Sequence, residues 1–215
     1  MENLPQNNQK PQESKPNESG VIGVQGHIKI FDPVSKEVFI NKRNAIHYEN
    51  FSIALAQSIS NQTEGPIGEM VFGNGGTRID PNGIITYLTP NTSGSGASLY
   101  NQTYYKTVDS RRPYSLDPAR NFMETRHIAG VPYSDILISC LLDFGEPAGQ
   151  LAFDNATNSE SSFVFDEIGL KAYSQVGPNE GILLTHVIFH PVQKSLNRLI
   201  QIDYTIRIQS LSPGS

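Results

Sequence analysis

The sequence predicts a mainly β protein, an antiparallel β-sandwich or barrel-like domain with one short helix and a flexible N-terminal arm. Eight or more short strand-like segments are separated by clusters of Pro, Gly, Asn and Ser, which is typical of antiparallel all-β domains. One segment alone, residues 49–61, has the apolar spacing of a helix. The first 20 residues are polar and include three prolines, so they offer almost nothing to bury.

Length and composition limit the function classes. The chain has 215 residues, a hydrophobic content of 37% and a formal net charge of -5, which suits one domain with a sizeable core. The acidic balance gives no basic surface for nucleic acid, and no apolar run approaches the roughly 20 residues of a membrane span. The single cysteine, Cys140, lies in an apolar run, so we expect a buried thiol and no internal disulfide.

We divide the chain into a polar arm (residues 1–20) and a single β-rich domain (residues 21–215). Within the domain, residues 21–62 are predicted to form a hairpin and a helix that extend a sandwich core formed by residues 63–215. The hairpin would turn at Asp32-Pro33. In the helix, Asn50 is the predicted N-cap. One helical stripe carries the apolar side chains of Phe51, Ala54, Leu55 and Ile59.

Predicted strands fill most of the remaining chain. Six of them fall at residues 83–88, 99–108, 121–128, 134–144, 161–173 and 182–190. The last of these six is apolar on both faces, which indicates an interior strand. The final strand of the chain is the clearest, because apolar and polar residues alternate from Ile200 to Gln209. Such alternation places one face on a core and the other in water.

A glycine-rich stretch at residues 68–83 raises the question of a phosphate-binding loop. Such a loop has to open a helix so that backbone N–H groups face the anion, but turn and strand sequence follows here. Asn-Gly between apolar segments instead predicts a tight turn, because both residues tolerate φ > 0. We therefore predict two structural turns, one formed by Gly73, Asn74, Gly75 and Gly76, the other by Asn82 and Gly83.

No catalytic, cofactor-binding or metal-binding residue is predicted, and we expect the protein not to be an enzyme. His186 and His190 are four residues apart, but in a strand this spacing separates them by about 13 Å, too far to share an ion. A calcium loop at residues 154–158 would lack the glycine that provides its bend. No Gly-x-Ser-x-Gly nucleophile elbow occurs.

Four carboxylates stand beside predicted turns: Asp143, Glu146, Asp166 and Glu167. They could supply acid and base roles in principle. Carboxylates at turns are more often solvated or capping groups, so we assign them no chemistry.

Two groups of residues are candidates for an interface with a partner. The first is a cluster of aromatic and arginine residues, Tyr104, Tyr105, Arg111, Arg112 and Tyr114, whose composition suits protein interfaces or sugar stacking. The alternative is ordinary alternate-face packing, with the first tyrosine inward and the second outward. The second group lies in the arm and comprises Leu4, Pro5, Pro11 and Pro16.

Four short motifs between residues 67 and 195 resemble the N-terminal attachment domains of tailed-bacteriophage tail and collar fibre proteins. The first is an apolar strand that runs into Gly73-Asn74-Gly75, and the second is Leu99-Tyr100-Asn101. The third is Glu167-Ile168-Gly169-Leu170, in which we expect Gly169 at a structural turn. The fourth is a strand led by Gly181 and Leu183 that ends near Lys194.

The resemblance implies a virion structural protein with a β-rich fold, without catalytic residues or cofactors. Its expected partners are other virion proteins, such as capsid, portal, neck or tail subunits, and further copies of the same chain, with no nucleic acid and no membrane. Because the chain adds a polar arm and a hairpin-helix in front and no shaft behind, we expect a collar or tail connector or a fibre-attachment domain. Two alternatives stay open: a capsid decoration or cement protein, and a carbohydrate-binding β-sandwich.

Overall fold

The computed structural model describes residues 20–112, 114–147 and 162–211. In chain order its elements are β1 (Val21–Phe31), β2 (Val38–Arg43), β3 (Ala45–Ile46), α1 (Tyr48–Ile59), β4 (Ile67–Gly73), β5 (Thr77–Ile79), β6 (Ile85–Tyr87), β7 (Gln102–Thr107), β8 (Phe122–His127), β9 (Tyr133–Leu142), β10 (Ser162–Ala172), β11 (Leu183–Ser195) and β12 (Ile200–Leu211). The arm candidates Leu4, Pro5, Pro11 and Pro16 and the residues 154–158 considered for calcium lie outside the described residues.

The strands form two five-stranded sheets and one small hairpin. Sheet A has the order β2-β1-β12-β9-β8, sheet B has the order β3-β11-β10-β4-β7, and β5 pairs with β6. Every pairing is antiparallel. One apolar core draws side chains from both large sheets. The predicted mainly β, antiparallel sandwich with one short helix is therefore confirmed.

Sheet A follows the alternation that the sequence predicts. β12 pairs with β1 from Leu211 opposite Val21 to Gln201 opposite Phe31, and with β9 on its other side. The predicted core positions of β12 from residue 200 to residue 206 are buried, while Asp203 on the opposite face is exposed. One face of this sheet therefore packs on the core and the other meets solvent.

Sheet B is covered on both faces. All seven residues of β4 are buried. Met70 and Phe72 join the main core, while Val71 packs on the opposite face with Leu99 and Leu183. Leu99 belongs to the segment of residues 88–101 between β6 and β7, which we call the cover loop. β4 lacks a polar alternation because neither of its faces is left to solvent.

The N-terminal hairpin and the helix belong to the sandwich. β1 lies inside sheet A between β2 and β12, and α1 packs against β11 of sheet B. The predicted division after residue 62 therefore does not separate two structural parts. The sequence did not indicate this arrangement, because the neighbour of β1 in the sheet is β12, the final strand of the described chain.

The helix begins earlier than predicted. α1 starts at Tyr48, and its N-cap is His47, whose ring accepts the backbone N–H of Asn50. The prediction of Asn50 as N-cap was wrong. Asn50 lies buried in the first turn, where its side chain donates to the carbonyl oxygen of Leu183 (2.9 Å). An imidazole nitrogen takes the place of the usual capping oxygen.

The predicted apolar stripe of α1 is confirmed only in part. Phe51 and Ala54 are buried and Leu55 is half-buried, but Ile59 in the last turn is 77% exposed. The helix therefore contacts the sandwich through its first two and a half turns. Among the described residues, no helix has the length and apolar character needed to span a bilayer.

Candidate functional site

The glycine-rich stretch wraps around a buried carboxylate. Glu167 in β10 is fully buried, and each of its carboxylate oxygens accepts two hydrogen bonds. Oε1 accepts the backbone N–H groups of Gly75 (3.1 Å) and Asn101 (2.8 Å). Oε2 accepts the backbone N–H of Tyr100 (2.9 Å) and Nε2–H of His186 (2.9 Å). One side chain therefore joins three segments that are far apart in the sequence.

The neighbouring Asp166 binds the next residues of the glycine-rich stretch, Gly76 and Thr77. Its Oδ1 accepts the backbone N–H of Gly76 (2.9 Å), and its Oδ2 accepts the backbone N–H (2.8 Å) and the hydroxyl of Thr77. A β-bulge between Phe165 and Glu167 interrupts the pairing with β11. Bulges re-aim side chains, and here two consecutive carboxylates bind one stretch of backbone.

Burial raises the pKa of each carboxyl of this pair, whereas hydrogen bonding lowers it. Burial favours a higher pKa for Glu167, but hydrogen bonds from His186 and from three backbone N–H groups lower its pKa below the ordinary value. Burial raises the pKa of Asp166, and its bonds to Thr77 and Gly76 offset only part of that effect. Since each carboxylate is already bonded to fixed donors, the pair acts as a structural clamp on residues 75–77.

Close approach, rather than positive φ, explains the glycines before β5. A Cβ atom on Gly73 would lie 2.5 Å from the carbonyl oxygen of Asn101, and one on Gly75 would lie 2.8 Å from the backbone nitrogen of the same residue. A Cβ on Gly76 would lie 3.0 Å from the side chain of Ile188. None of these glycines has φ in the left-handed region. The prediction of a φ > 0 turn through Asn74 and Gly75 was therefore wrong.

The second predicted turn is confirmed, at the tip of the β5–β6 hairpin. Gly83 has φ of +82°, and the Asp80 carboxylate accepts the backbone N–H groups of Asn82 (2.9 Å) and Ile84 (2.8 Å). Gly169, by contrast, is not at a turn. It lies inside β10, where a Cβ atom would come within 2.7 Å of the carbonyl oxygen of Thr185.

Three of the four motifs that carry the phage-fibre resemblance meet at this clamp. Gly73 is the Cα partner of Glu167 across β4 and β10, and the N–H groups of Gly75, Tyr100 and Asn101 bind the Glu167 carboxylate. The glycines and the glutamate of these motifs are therefore explained by one structural requirement, which is to bring backbone donors close to a buried anion.

Two buried histidines attach the cover loop to the sandwich. His186 accepts the backbone N–H of Asn91 at Nδ1 (2.8 Å) and donates from Nε2 to the buried carboxylate of the clamp. His47 accepts the backbone N–H of Asn50 at Nδ1 (3.2 Å) and donates from Nε2 to the carbonyl oxygen of Gly94 (2.9 Å). A backbone N–H can only donate, so both rings are neutral Nε2–H tautomers.

The remaining candidates for metal binding and thiol chemistry are His190 and Cys140. His190 lies with His186 on β11, as predicted, but it is exposed beside the hydroxyl of Tyr87 (3.2 Å). No group of three or more His, Cys, Asp or Glu residues within the described ranges is arranged to hold a metal ion. Cys140 is fully buried, and burial raises the pKa of its thiol to about 12.

The two central tyrosines of the predicted interface cluster do not form a shared exposed platform. Tyr104 is 6% exposed and packs in the main core, next to the ring of Phe72. Tyr105 lies on the other face of sheet B against the small cluster around Val71. The alternative of alternate-face packing is thereby confirmed for these two residues.

The rest of the cluster surrounds a buried aspartate. Arg111 and Arg112 both donate to Asp109; burial favours a higher pKa for this carboxyl, but the arginines hold it below the ordinary value. The guanidinium of Arg112 stacks 3.6 Å from the ring centroid of Tyr173. Burial, with a contribution from Tyr173, raises the pKa of half-buried Tyr114 to about 12. Within the cluster, the Arg111 side chain is the most exposed, at 71%.

An apolar groove of about 440 Å³ opens beside Arg111, between α1 and sheet A. Its apolar lining comes from Phe51, Ala54 and Leu55 of the helix and from Met123, Ile136 and Ile208 of the sheet. Arg111 and Glu124 add one charge of each sign to the lining. The volume falls in the range of sites that hold small ligands or peptide side chains.

The groove lies close to the point where the described chain begins. Ile208 in its lining pairs with Val24 of β1. Gly20 precedes Val24 by four residues, which corresponds to about 13 Å along a strand. Val21 and Ile22 at this end are 53% and 58% exposed.

Lys106 and Lys194 are two of the three lysines that are buried in sheet B within the described ranges, the third being Lys171. Lys106 donates to the carbonyl oxygen of Leu141 (2.6 Å) and to the Glu146 carboxylate. Lys194 is fully buried and donates to two backbone carbonyl oxygens, at 2.8 and 2.9 Å. Burial lowers the pKa of Lys194 to about 8.

No family model matches this chain, and no curated protein or solved structure matches it either. Its role is therefore inferred from two features of the molecule itself. One is the saturated polar clamp beneath the cover loop, and the other is the open apolar groove beside the start of β1.

Proposed function

We propose that the chain is a non-enzymatic virion structural protein of the tailed-phage type, which docks neighbouring subunits as a collar or tail connector or as a fibre-attachment domain. In this proposal the sandwich is the platform and residues 1–20 are the arm that grips a neighbour. The observation that carries the docking role is the apolar groove next to the start of β1.

We propose the arm of a second copy of the chain as the occupant of the groove. Leu4 and Pro5 are adjacent apolar residues in an otherwise polar segment, and full burial of a leucine side chain contributes roughly 1.5–3 kcal/mol. The chain between Leu4 and Gly20 can span up to about 50 Å when extended. That reach is several times the roughly 13 Å of strand from Gly20 to Val24, which leaves enough chain to extend to an adjacent subunit.

The virion assignment is supported by the four motifs of the sequence. Three of them form one clamp around Glu167 in this fold, which is the behaviour of motifs that specify an architecture rather than a chemistry. A β-sandwich whose buried clamp carboxylates are bonded to fixed donors, together with a polar arm, suits a building block that binds through surface complementarity.

The docking proposal is tested by measuring molar mass in solution with light scattering. The full chain is expected to self-associate, and deletion of residues 1–19 is expected to give a monomer with an unchanged far-UV circular dichroism spectrum. Leu55→Glu, which places a charge in the groove lining, is expected to do the same. Leu116→Glu is the matched control, because Leu116 is 71% exposed and lies outside the groove. A monomeric full chain, or an oligomeric deletion variant, would refute this docking mode.

The virion role is tested separately by mass spectrometry of purified particles from the virus that encodes the chain. Recovery with collar or tail fractions is expected, and the arm deletion is expected to abolish incorporation. Recovery with heads alone would favour the decoration or cement alternative. Absence from every fraction would overturn the virion assignment, even if the arm mediates self-association in solution.

A further inference from the structure

We propose that His186 and His47 form an acid-sensitive latch, which keeps the cover loop closed over sheet B only while both imidazoles are neutral. The loop is residues 88–101. This inference goes beyond the proposed function and does not depend on it. It rests on the hydrogen bonds of two fully buried rings to backbone groups.

The His186 ring makes the direct contact that acid would break. Its Nδ1 accepts the backbone N–H of Asn91 in the cover loop (2.8 Å). A proton on Nδ1 would turn this acceptor into a donor that faces another donor. The closed loop therefore excludes the imidazolium form of His186.

Two acidic groups of β10 lie next to the His186 ring. The Glu167 carboxylate bonds Nε2 (2.9 Å), and Asp166 precedes it in the same strand. From the cover loop, the ring of Tyr100 lies 5.7 Å from the imidazole. The Asn91 N–H faces Nδ1 only while the loop is closed.

The His47 ring bonds the same loop at a second position, Gly94. It donates to the carbonyl oxygen of Gly94 (2.9 Å) and accepts the N–H of Asn50 (3.2 Å). These ring contacts are uncharged backbone groups. Protonation at Nδ1 would break the N-cap of α1, and the ring would have to turn away from both partners. Asn91 and Gly94 of the cover loop are thus each hydrogen-bonded to a ring that must stay neutral.

The direction of the pH effect follows from linkage. A proton on Nδ1 can bind only to the open state, so lowering the pH shifts the loop from closed to open. Each proton that binds only to the open state changes the open-to-closed ratio by up to about tenfold per pH unit. Opening would uncover Val71 and Leu183, which pack under Leu99 of the loop.

Hydrogen–deuterium exchange at pH 7.5 and pH 5.0 tests the latch. After correction for the intrinsic effect of pH on exchange, amides of residues 88–101 are expected to lose at least tenfold protection at pH 5.0. Amides of β12 serve as the internal control and are expected to stay protected at both values. Unchanged protection of the cover loop at pH 5.0 would overturn the proposal.

Histidine variants separate the latch from general acid destabilisation. His186→Gln is expected to weaken the pH response of the loop, because only His47 then remains to respond to acid. Combination with His47→Gln is expected to make exchange of the loop independent of pH. His190→Gln is the matched control, because His190 lies on the same strand but is exposed, and it is expected to respond as the natural protein does.

A second variant keeps the test decisive if His186→Gln does not fold. Asn91→Pro deletes the N–H that opposes a proton on Nδ1, so it is also expected to weaken the pH response. A response as large as that of the natural protein in folded His186→Gln or Asn91→Pro, or any response in the double histidine variant, would assign it to another group and refute the latch. Loss of the response in His190→Gln would refute it as well.

Discussion

The two large sheets have equal numbers of strands but differ in where their ionisable side chains lie. Among the described residues, every buried Asp, Glu, Lys or His within a strand belongs to sheet B. These residues are Glu69, Lys106, Asp166, Glu167, Lys171, His186 and Lys194. In sheet A, ionic side chains such as Asp203 and the paired Arg207 and Asp135 lie on the outer face at or near solvent.

The difference reflects what lies on the outer face of each sheet. Sheet A leaves its outer face to water, whereas sheet B covers its outer face with loops and pairs the charges beneath them. A second anchor repeats the clamp: Glu69 accepts the backbone N–H of Asn179 (2.7 Å), and Lys171 donates to the carbonyl oxygen of the same residue (2.8 Å). The stability of sheet B therefore depends on hydrogen-bonded charges to a degree that sheet A does not share.

The largest expected effect comes from Glu167→Gln. In either orientation the new amide would place an N–H₂ donor against N–H donors that now bind a carboxylate oxygen. Breaking a buried charged network in this way costs about 3–5 kcal/mol of unfolding free energy. Chemical denaturation followed by circular dichroism measures it. Asp203→Asn on the open face of sheet A is the control, and a change within about 0.5 kcal/mol is expected. Equal losses in the two variants would contradict the contrast between the sheets.

A smaller effect is expected from the pH dependence of Lys194. Its pKa is about 8 in the folded protein and about 10.4 in an unfolded chain. Between these values the unfolded chain binds a proton that the folded protein does not, so stability should rise with pH from about 8 to about 10, by at most about 3 kcal/mol. Denaturation at pH 8, 9 and 10 measures the slope.

The variants for this measurement come from the two sheets. Lys194→Met is expected to be less stable at each pH, since it leaves two carbonyl groups without their donor, but its slope should be flatter. Lys29→Met in β1 of sheet A is expected to keep the slope of the natural protein. The assignment to Lys194 fails if its removal leaves the slope unchanged.

The smallest of the three effects is expected from Gly75→Val. The added side chain would push against the backbone of Asn101 and loosen the clamp, at a cost of roughly 1–3 kcal/mol. Gly96→Val is the control, because a Cβ at Gly96 in the cover loop meets nothing within 4 Å. Thermal unfolding midpoints measure both. A drop for Gly96→Val as large as that for Gly75→Val would mean that crowding is not the cause.

The sequence predicted sheet A better than sheet B, for a physical reason. In β12, apolar and polar residues alternate from Ile200 onward, which matches the two-residue period of a strand with one solvent-exposed face. In β4 and β10, charged residues on the outer face are buried under loops, so the alternation of apolar and polar residues does not show which face packs on the core. Gly169 was placed at a turn because glycines usually mark turns, yet it lies in a strand where the neighbouring backbone approaches closely.

The clamp and the groove could be predicted only in part. The carboxylates Asp166 and Glu167 were interpreted as solvated or capping groups. The capping interpretation agrees with their bonds to backbone N–H groups. The solvated interpretation does not agree with the structure, because both carboxylates are buried. No spacing rule indicates that their backbone donors come from positions 66 to 92 residues earlier in the chain. The groove combines α1 with strands of sheet A that lie far apart in the sequence, so only the tertiary arrangement reveals it.

The pairing of β1 with β12 along its whole length has a consequence for synthesis of the chain on the ribosome. β1 leaves the exit tunnel early, and β2 follows it closely, but the other edge of β1 finds its neighbour only when residues 201–211 have been made. At roughly 5–20 residues per second, the nascent strand waits on the order of ten seconds or more with one edge unpaired. A truncated chain that ends before β12 would expose the edges of both β1 and β9, which makes premature termination products prone to aggregate.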